Sequence, residues 1–295
     1  MKIAIDCRSW CTVAALLVAA STSVAADLER AEPQRDFTIG GEADDADARQ
    51  LYATAGFPLG QKGWTDLSLG KAQASTDLEK VDTTIASVAA GVTTQHVALT
   101  ARYTHREDSK SFRQQDLGGR FTLLLRKAAV GVDVFVRSAE SETITSIQRR
   151  RLDPLAVRIT ESIDGYGIGL HADVEPAENL TLAAGFMKYD YEHTTNRPAL
   201  LQRLALRGIS VVTRDQAFFD TSARAGATYR FASFDLTGDY YFDRVLGTGD
   251  KIHTGQLTAT VPVGERWTVM PWAGYSSNDP FASVGFAGLN VSVLW

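Results

Sequence analysis

Between Ala128 and Arg137 every even-numbered residue is apolar: Ala128, Val130, Val132, Val134 and Val136. Ala129, Gly131, Asp133, Phe135 and Arg137 stand between them. A strand sends successive side chains to opposite faces, so this segment predicts a strand with one greasy and one charged face. The alternation recurs along the chain. Val97, Leu99, Ala101 and Tyr103 interleave with Ala98, Thr100, Arg102 and Thr104, and Leu117, Phe121, Leu123 and Leu125 oppose Asp116, Arg120 and Thr122. Further on, Phe234, Leu236, Tyr240 and Phe242 oppose Asp235, Thr237, Asp239 and Asp243.

Scored this way the pattern predicts about fourteen strands, or about twelve if the weak first and fourth are left out. They fall near 36–43, 48–59, 64–74, 83–93, 96–107, 112–126, 128–139, 164–175, 179–192, 218–231, 233–244, 252–263, 266–276 and 282–295. The connections alternate in length. Short ones fall near Gln61–Gly63, Thr94–Gln95, Lys127–Ala128, Pro176–Asn179, Ala232–Ser233 and Gly264–Glu265. Longer ones fall near Asp44–Ala48, Thr76–Asp82, Asp108–Ser111, Ala139–Asp164, Thr194–Ala217, Leu246–Lys251 and Ser277–Phe281. Short turns on one rim and long loops on the other predict an all-β transmembrane antiparallel up-and-down β-barrel rather than a sandwich. Outward aromatics fit two interfacial bands. Phe57, Tyr229, Phe231, Phe234 and Trp267 sit by the short turns; Tyr103, Phe186, Phe219, Tyr240, Phe242 and Tyr275 sit toward the long loops.

The N-terminus carries a different pattern. Lys2 and Arg8 precede the apolar run Val13–Ala20 and the small-residue stretch Ser21–Ala26. This order predicts a signal peptide over residues 1–26, cut after Ala25 or Ala26, with the barrel domain over 27–295. Both cysteines, Cys7 and Cys11, fall inside the leader, so disulfides, zinc clusters and cysteine nucleophiles are excluded from the exported chain. The mean hydropathy is −0.11, and no later run nears the roughly 18 apolar residues of a spanning helix. A formal net charge of −5 gives no basic excess to recommend nucleic acid as a partner.

The last residues are Leu289-Asn-Val-Ser-Val-Leu-Trp295, with Leu289, Val291, Val293 and Trp295 at every second position. This ending resembles the terminal signal of Gram-negative outer-membrane β-barrel proteins of the porin-like superfamily. The resemblance implies a place in the cell outer membrane, contact with its lipid and lipopolysaccharide, and the barrel-assembly machinery as a partner. It points to no particular subfamily.

Strand parity defines an inward set. Charges facing lipid would cost about 2–4 kcal/mol each near mid-membrane, so those opposite the apolar positions belong to the interior. The basic members are Arg102, Arg106, Arg120, Arg126, Arg137, Arg224 and Arg230; the acidic ones include Glu42, Asp66, Asp116, Asp133, Asp173, Asp235, Asp239 and Asp243. Arg102, Arg120 and Arg137 are expected to form a basic stripe facing an acidic stripe of Asp235, Asp239 and Asp243, a transverse field across a water-filled pore. Inward glycines (Gly118, Gly131, Gly167, Gly169, Gly185, Gly226 and Gly274) are expected to leave space. Two loops are candidate gates: Ala139–Asp164, with Arg149–Arg151 and Arg158, and Pro198–Gly208, whose Arg203 and Arg207 would share one side of a short amphipathic helix.

Catalytic and metal motifs are missing. The five histidines (His96, His105, His171, His193 and His253) form no H-E-x-x-H, and no G-x-S-x-G occurs. His105 or His193 with loop carboxylates is the one enzyme alternative, a surface lipase or protease. The stretch Asp27–Arg35 is too short for a plug domain. The expectation is therefore a monomeric, non-enzymatic channel without cofactor, passing small polar or charged solutes. A non-conducting structural or adhesion barrel is the main alternative.

Overall fold

The computed structural model describes residues 35–75, 80–109, 112–149, 152–193, 218–279 and 283–295. These hold fourteen strands: β1 (Asp36–Asp44), β2 (Arg49–Leu59), β3 (Gly63–Ser75), β4 (Lys80–Thr93), β5 (Val97–Asp108), β6 (Phe112–Leu125) and β7 (Ala128–Arg149), then β8 (Leu152–Ala177), β9 (Leu180–His193), β10 (Phe219–Arg230), β11 (Asp235–Val245), β12 (Lys251–Val263), β13 (Trp267–Asp279) and β14 (Val284–Leu294). Each pairs antiparallel with its sequence neighbours, and β14 returns to β1 in register from Asp36↔Leu294 to Asp44↔Phe286. The ring is closed. Closure removes both sheet edges of the ring, where every strand has a neighbour on either side. No helix among the described residues is long and apolar enough to cross a membrane.

The alternation sorts side chains as its period demands. On the outer face Leu69, Leu170 and Leu257 are 66%, 65% and 60% exposed, whereas inward Gln114 and Asp243 are fully buried. Tyr229, Phe231 and Trp267 are exposed toward the short-turn rim, and Tyr103, Phe186, Tyr240 and Tyr275 toward the other. Phe219 departs from the expected outer band. A bulge between Phe219 and Thr221 shifts the register, which reverses the face and turns Phe219 inward against Val245 and Ile252. Arg126 is also corrected: it lies exposed in the turn between β6 and β7, not on a strand face.

The long-loop rim differs from expectation in one place. Residues 139–149 and 152–164 are strand, not loop: β7 and β8 run on together from Glu142↔Thr160 to Arg149↔Leu152. Among the described residues, β7 past Ser141 has no partner in β6 and β8 before Ile163 has none in β9, so the described extension is a two-stranded ribbon. At about 3.3 Å per residue it stands roughly 25 Å beyond the rim. Pro154 is tolerated there because it falls at the register irregularity between Ile147 and Arg149, outside the regular ladder. Arg150 and Arg151, and the whole Pro198–Gly208 segment, lie outside the described residues.

The inward glycines are slots rather than empty space. Trp64 stands directly opposite Gly91 in the register, and a Cβ on Gly91 would lie 2.6 Å from its ring. Trp272 lies against Gly288 in the same way, and the register repeats the pairing with Tyr189 opposite Gly167 and Phe286 opposite Gly274. Each ring lies flat along the wall over its glycine instead of projecting toward the axis.

Filling one of these slots should cost stability. Gly91→Leu is expected to lose about 1–3 kcal/mol in denaturant unfolding of the detergent-folded barrel, through displacement of Trp64. Gly255→Ala, where a Cβ meets nothing within 4 Å, should stay within about 0.5 kcal/mol.

Candidate functional site

The interior is the site, and the register decides which charges meet inside it. Arg120 on β6 stands opposite Asp133 on β7, and its Nε donates to Asp133 Oδ1 at 2.7 Å. Two inward rows further on, past Gly118 and Phe135, Asp116 stands opposite Arg137, which donates through Nε (2.7 Å) and Nη2 (3.0 Å) to the two carboxylate oxygens. This two-pronged pairing is the strongest geometry available to an arginine and a carboxylate. Arg106 from β5 reaches the same Asp116, and Gln114 Nε2 donates to it at 2.9 Å. Across the barrel Arg224 Nη2 donates to Asp239 Oδ1 at 2.8 Å, with its guanidinium 5.5 Å from the Tyr241 ring centre.

The two facing stripes expected from the sequence are therefore not formed. Arg120 and Arg137 each sit beside an aspartate, and Asp239 is held by Arg224. Asp243 accepts from Ser222 Oγ at 2.6 Å, and Asp235 stands opposite Arg230. Arg102 faces Gly118 and Ala89, and its Nε has no hydrogen-bond acceptor. Charge of both signs is interleaved on neighbouring strands because a buried ion without a close counter-ion is far costlier than one with it.

A chain of polar groups that sequence parity missed runs through β6, β7 and β8. Thr122, Gly131 and His171 share one cross-strand row. Gly131 has no side chain, so the His171 ring leans over it: Nε2 is 3.0 Å from Thr122 Oγ1, and Nδ1 is 2.9 Å from Asp133 Oδ2. Asp173 lies two residues along the same strand, but the His171 bond goes to Asp133 on the neighbouring strand. Hydroxyl, imidazole and carboxylate stand in relay order, but all three are under 10% exposed and Asp133 is also held by Arg120. Such a buried, saturated chain cross-links three strands. Gly131 opposite His171 is the signal in the sequence that would have revealed it, once the register was known.

The remaining wall is built from hydroxyls and amides. Thr38 meets Ser292 at 2.7 Å, Thr54 donates to Ser68 at 3.0 Å, and Tyr52 Oη donates to Asn290 Oδ1 at 2.6 Å. Near the long-loop rim an apolar cluster of Phe112, Ala139, Ile163, Tyr191 and Phe218 fills part of the interior. Arg137 packs between Phe135 and Phe218, 4.9 and 5.2 Å from the ring centres. The outward histidines do not join it. His105 is 3.9 Å from Glu107 on its own strand, and His253 lies under Tyr240. The side chain of His193 lies outside the described residues. Among the described residues no three His, Cys, Asp or Glu side chains are grouped to hold a metal. The terminal set Leu289, Val291 and Val293 lines the outer face of β14, in register with β1 and β13.

No protein-family model and no curated protein matches the sequence. Solved structures do match. The CymD monoaromatic hydrocarbon channel superposes with a TM-score of 0.55 at 9% identity, over 94% of this chain and 95% of that one. The KdgM porin in complex with disordered oligogalacturonate gives 0.44 at 7% identity, over 88% and 99%. OccK3 of Pseudomonas aeruginosa gives 0.41 at 10% identity, over 90% and 95%. The fold is that of the outer-membrane porin-like β-barrels.

The Asp116 site gives a direct test of the interior network. Asp116→Asn removes the carboxylate charge that Arg106 and Arg137 share and is expected to destabilise the folded barrel by about 3–5 kcal/mol in denaturant titration. Ser222→Ala, which removes one neutral donor from Asp243, should cost only about 1 kcal/mol.

Proposed function

We propose that the chain is a channel of the Gram-negative outer membrane through which small polar or charged solutes diffuse passively. One observation carries this: the closed ring turns its leucines and valines outward and its arginines, aspartates, threonines and serines inward. Such a ring matches hydrocarbon outside and water within. The glycine slots support it, since rings laid flat on the wall keep the axis clear. The leader-like residues 1–26 and the Leu289–Trp295 ending support export and insertion, with lipopolysaccharide and the barrel-assembly machinery as partners. In this setting the β7–β8 ribbon and the longer loops face the cell exterior. The channel works as a monomer without a cofactor, and no chemical step is assigned to its histidines.

A second reading has one observation in its favour. The cluster around Phe112, Tyr191 and Phe218 occupies the interior near the long-loop rim, as a permanently closed structural barrel would require. The two readings separate in planar bilayers. Purified folded protein should give discrete conductance steps in potassium chloride, and Phe218→Ala should enlarge them. Silence from demonstrably inserted barrel would leave the non-conducting reading standing.

A further inference from the structure

An outward glycine of β12 is left open where the inward ones are covered. Inside, the Trp64 ring lies over Gly91 and the Trp272 ring over Gly288. On the outer face Gly255 stands between Tyr240 of β11 and Tyr275 of β13 in the register, yet a Cβ built on it meets nothing within 4 Å. Neither ring covers it. The next outward row toward the short turns is also low: Ala227, Gly238 and Ala273 share it with Leu257. These small residues sink a groove of about 640 Å³ into the outer face of β10–β13, walled by the two tyrosines. That volume lies within the roughly 300–1,000 Å³ of small-molecule sites.

The end of the groove nearer the long loops is charged. Two outward positions above the tyrosines, Lys188, Thr221, Arg244 and Lys251 stand side by side across β9–β12, and Asp279 ends the row on β13. Asp220 holds Lys188 and lies 3.9 Å from Arg244 Nη1. Arg244 and Lys251 are both exposed and directly opposite each other. Like charges so placed repel, and an anion between them relieves the repulsion. Lys251 is four residues from Gly255 along β12, roughly 13 Å at the rise of a strand. His253 lies between them, its Nδ1 2.5 Å from Tyr240 Oη.

We propose that the outer face of β10–β13 binds one phosphate-bearing lipid, with an acyl chain in the groove at Gly255 and a headgroup phosphate between Arg244 and Lys251. Guanidinium and ammonium are the side chains that suit a phosphate, and a concave apolar floor suits a chain. A soluble anion would use the cations alone and a plain hydrocarbon the groove alone; an anionic lipid uses both. The inference rests on the outer-membrane reading and deepens it by placing the lipid contact, and it is independent of conduction. In that reading the long-loop rim meets the outer leaflet, and the occupant is lipopolysaccharide held through a lipid A phosphate.

The test is native mass spectrometry of the full-length barrel released from detergent micelles, with diphosphoryl lipid A and phosphatidylcholine as probes. Wild-type barrel should retain one lipid A at least about tenfold more tightly than phosphatidylcholine. The double variant Arg244→Gln, Lys251→Gln should lose that preference, and Gly255→Leu should weaken lipid A binding at least about fivefold. If Gly255→Leu does not assemble, Ala227→Leu fills the same groove. All these positions face outward, so the conductance should not change. Equal retention of the two lipids by wild-type barrel overturns the proposal, as does lipid A binding unmoved by the variants. A barrel dimer that Gly255→Leu disperses, with no lipid retained, overturns it in favour of a second copy of this chain. Loss of ion flow with lipid binding intact would count against the channel reading alone and support this one.

Discussion

Backbone pairing all the way round is the constraint on which the structure depends. Each strand satisfies its donors and acceptors only through two neighbours, and β1 and β14 would be left half-bonded if Asp36–Asp44 did not meet Phe286–Leu294. Away from water each such unmet group costs several kcal/mol, so the fold depends on the ring closing. Trp295 completes the seam by donating its backbone N–H to the Arg35 carbonyl at 3.0 Å.

Once the ring closes, period two does the sorting, and the register then does the chemistry. Arg120 meets Asp133, and Arg137 meets Asp116, because antiparallel neighbours place them side by side. His171 reaches Thr122 because the residue between them is Gly131. Large rings opposite glycines follow the same logic on the uncharged rows. The wall is thus a set of cross-strand pairs, some between charges and some between hydroxyls, rather than a surface with free-standing stripes.

How much of this was legible depends on the range of the interaction. Strands such as β6, β7 and β11 announce themselves locally, because the side-chain alternation in Leu117–Leu125 or Val130–Val136 needs no partner to be seen. Two features misled local inspection. Between Ala139 and Asp164, Pro154 and the polar run after Ser138 look like loop, yet residues 139–149 and 152–164 pair as strands, a pairing only the register displays. At Phe219 a bulge inverts the face, and a bulge leaves no mark in the alternation itself. The inward charges were identifiable by parity, but their partners were not, since parity gives a face and not a neighbour. Predicted stripes became ion pairs for that reason.

The central claim is that outer and inner positions of one continuous ring meet different solvents. Single cysteines can be placed at Leu69, Val134, Leu170 and Leu257 on the outer face and at Thr54, Ser68 and Thr258 inside, with Cys7 and Cys11 absent from the background. In lipid vesicles a water-soluble maleimide should modify the inner set and spare the outer one, while a fluorophore on the outer set is quenched by spin-labelled acyl chains. Equal labelling of both sets, or quenching of the inner one, would contradict the account.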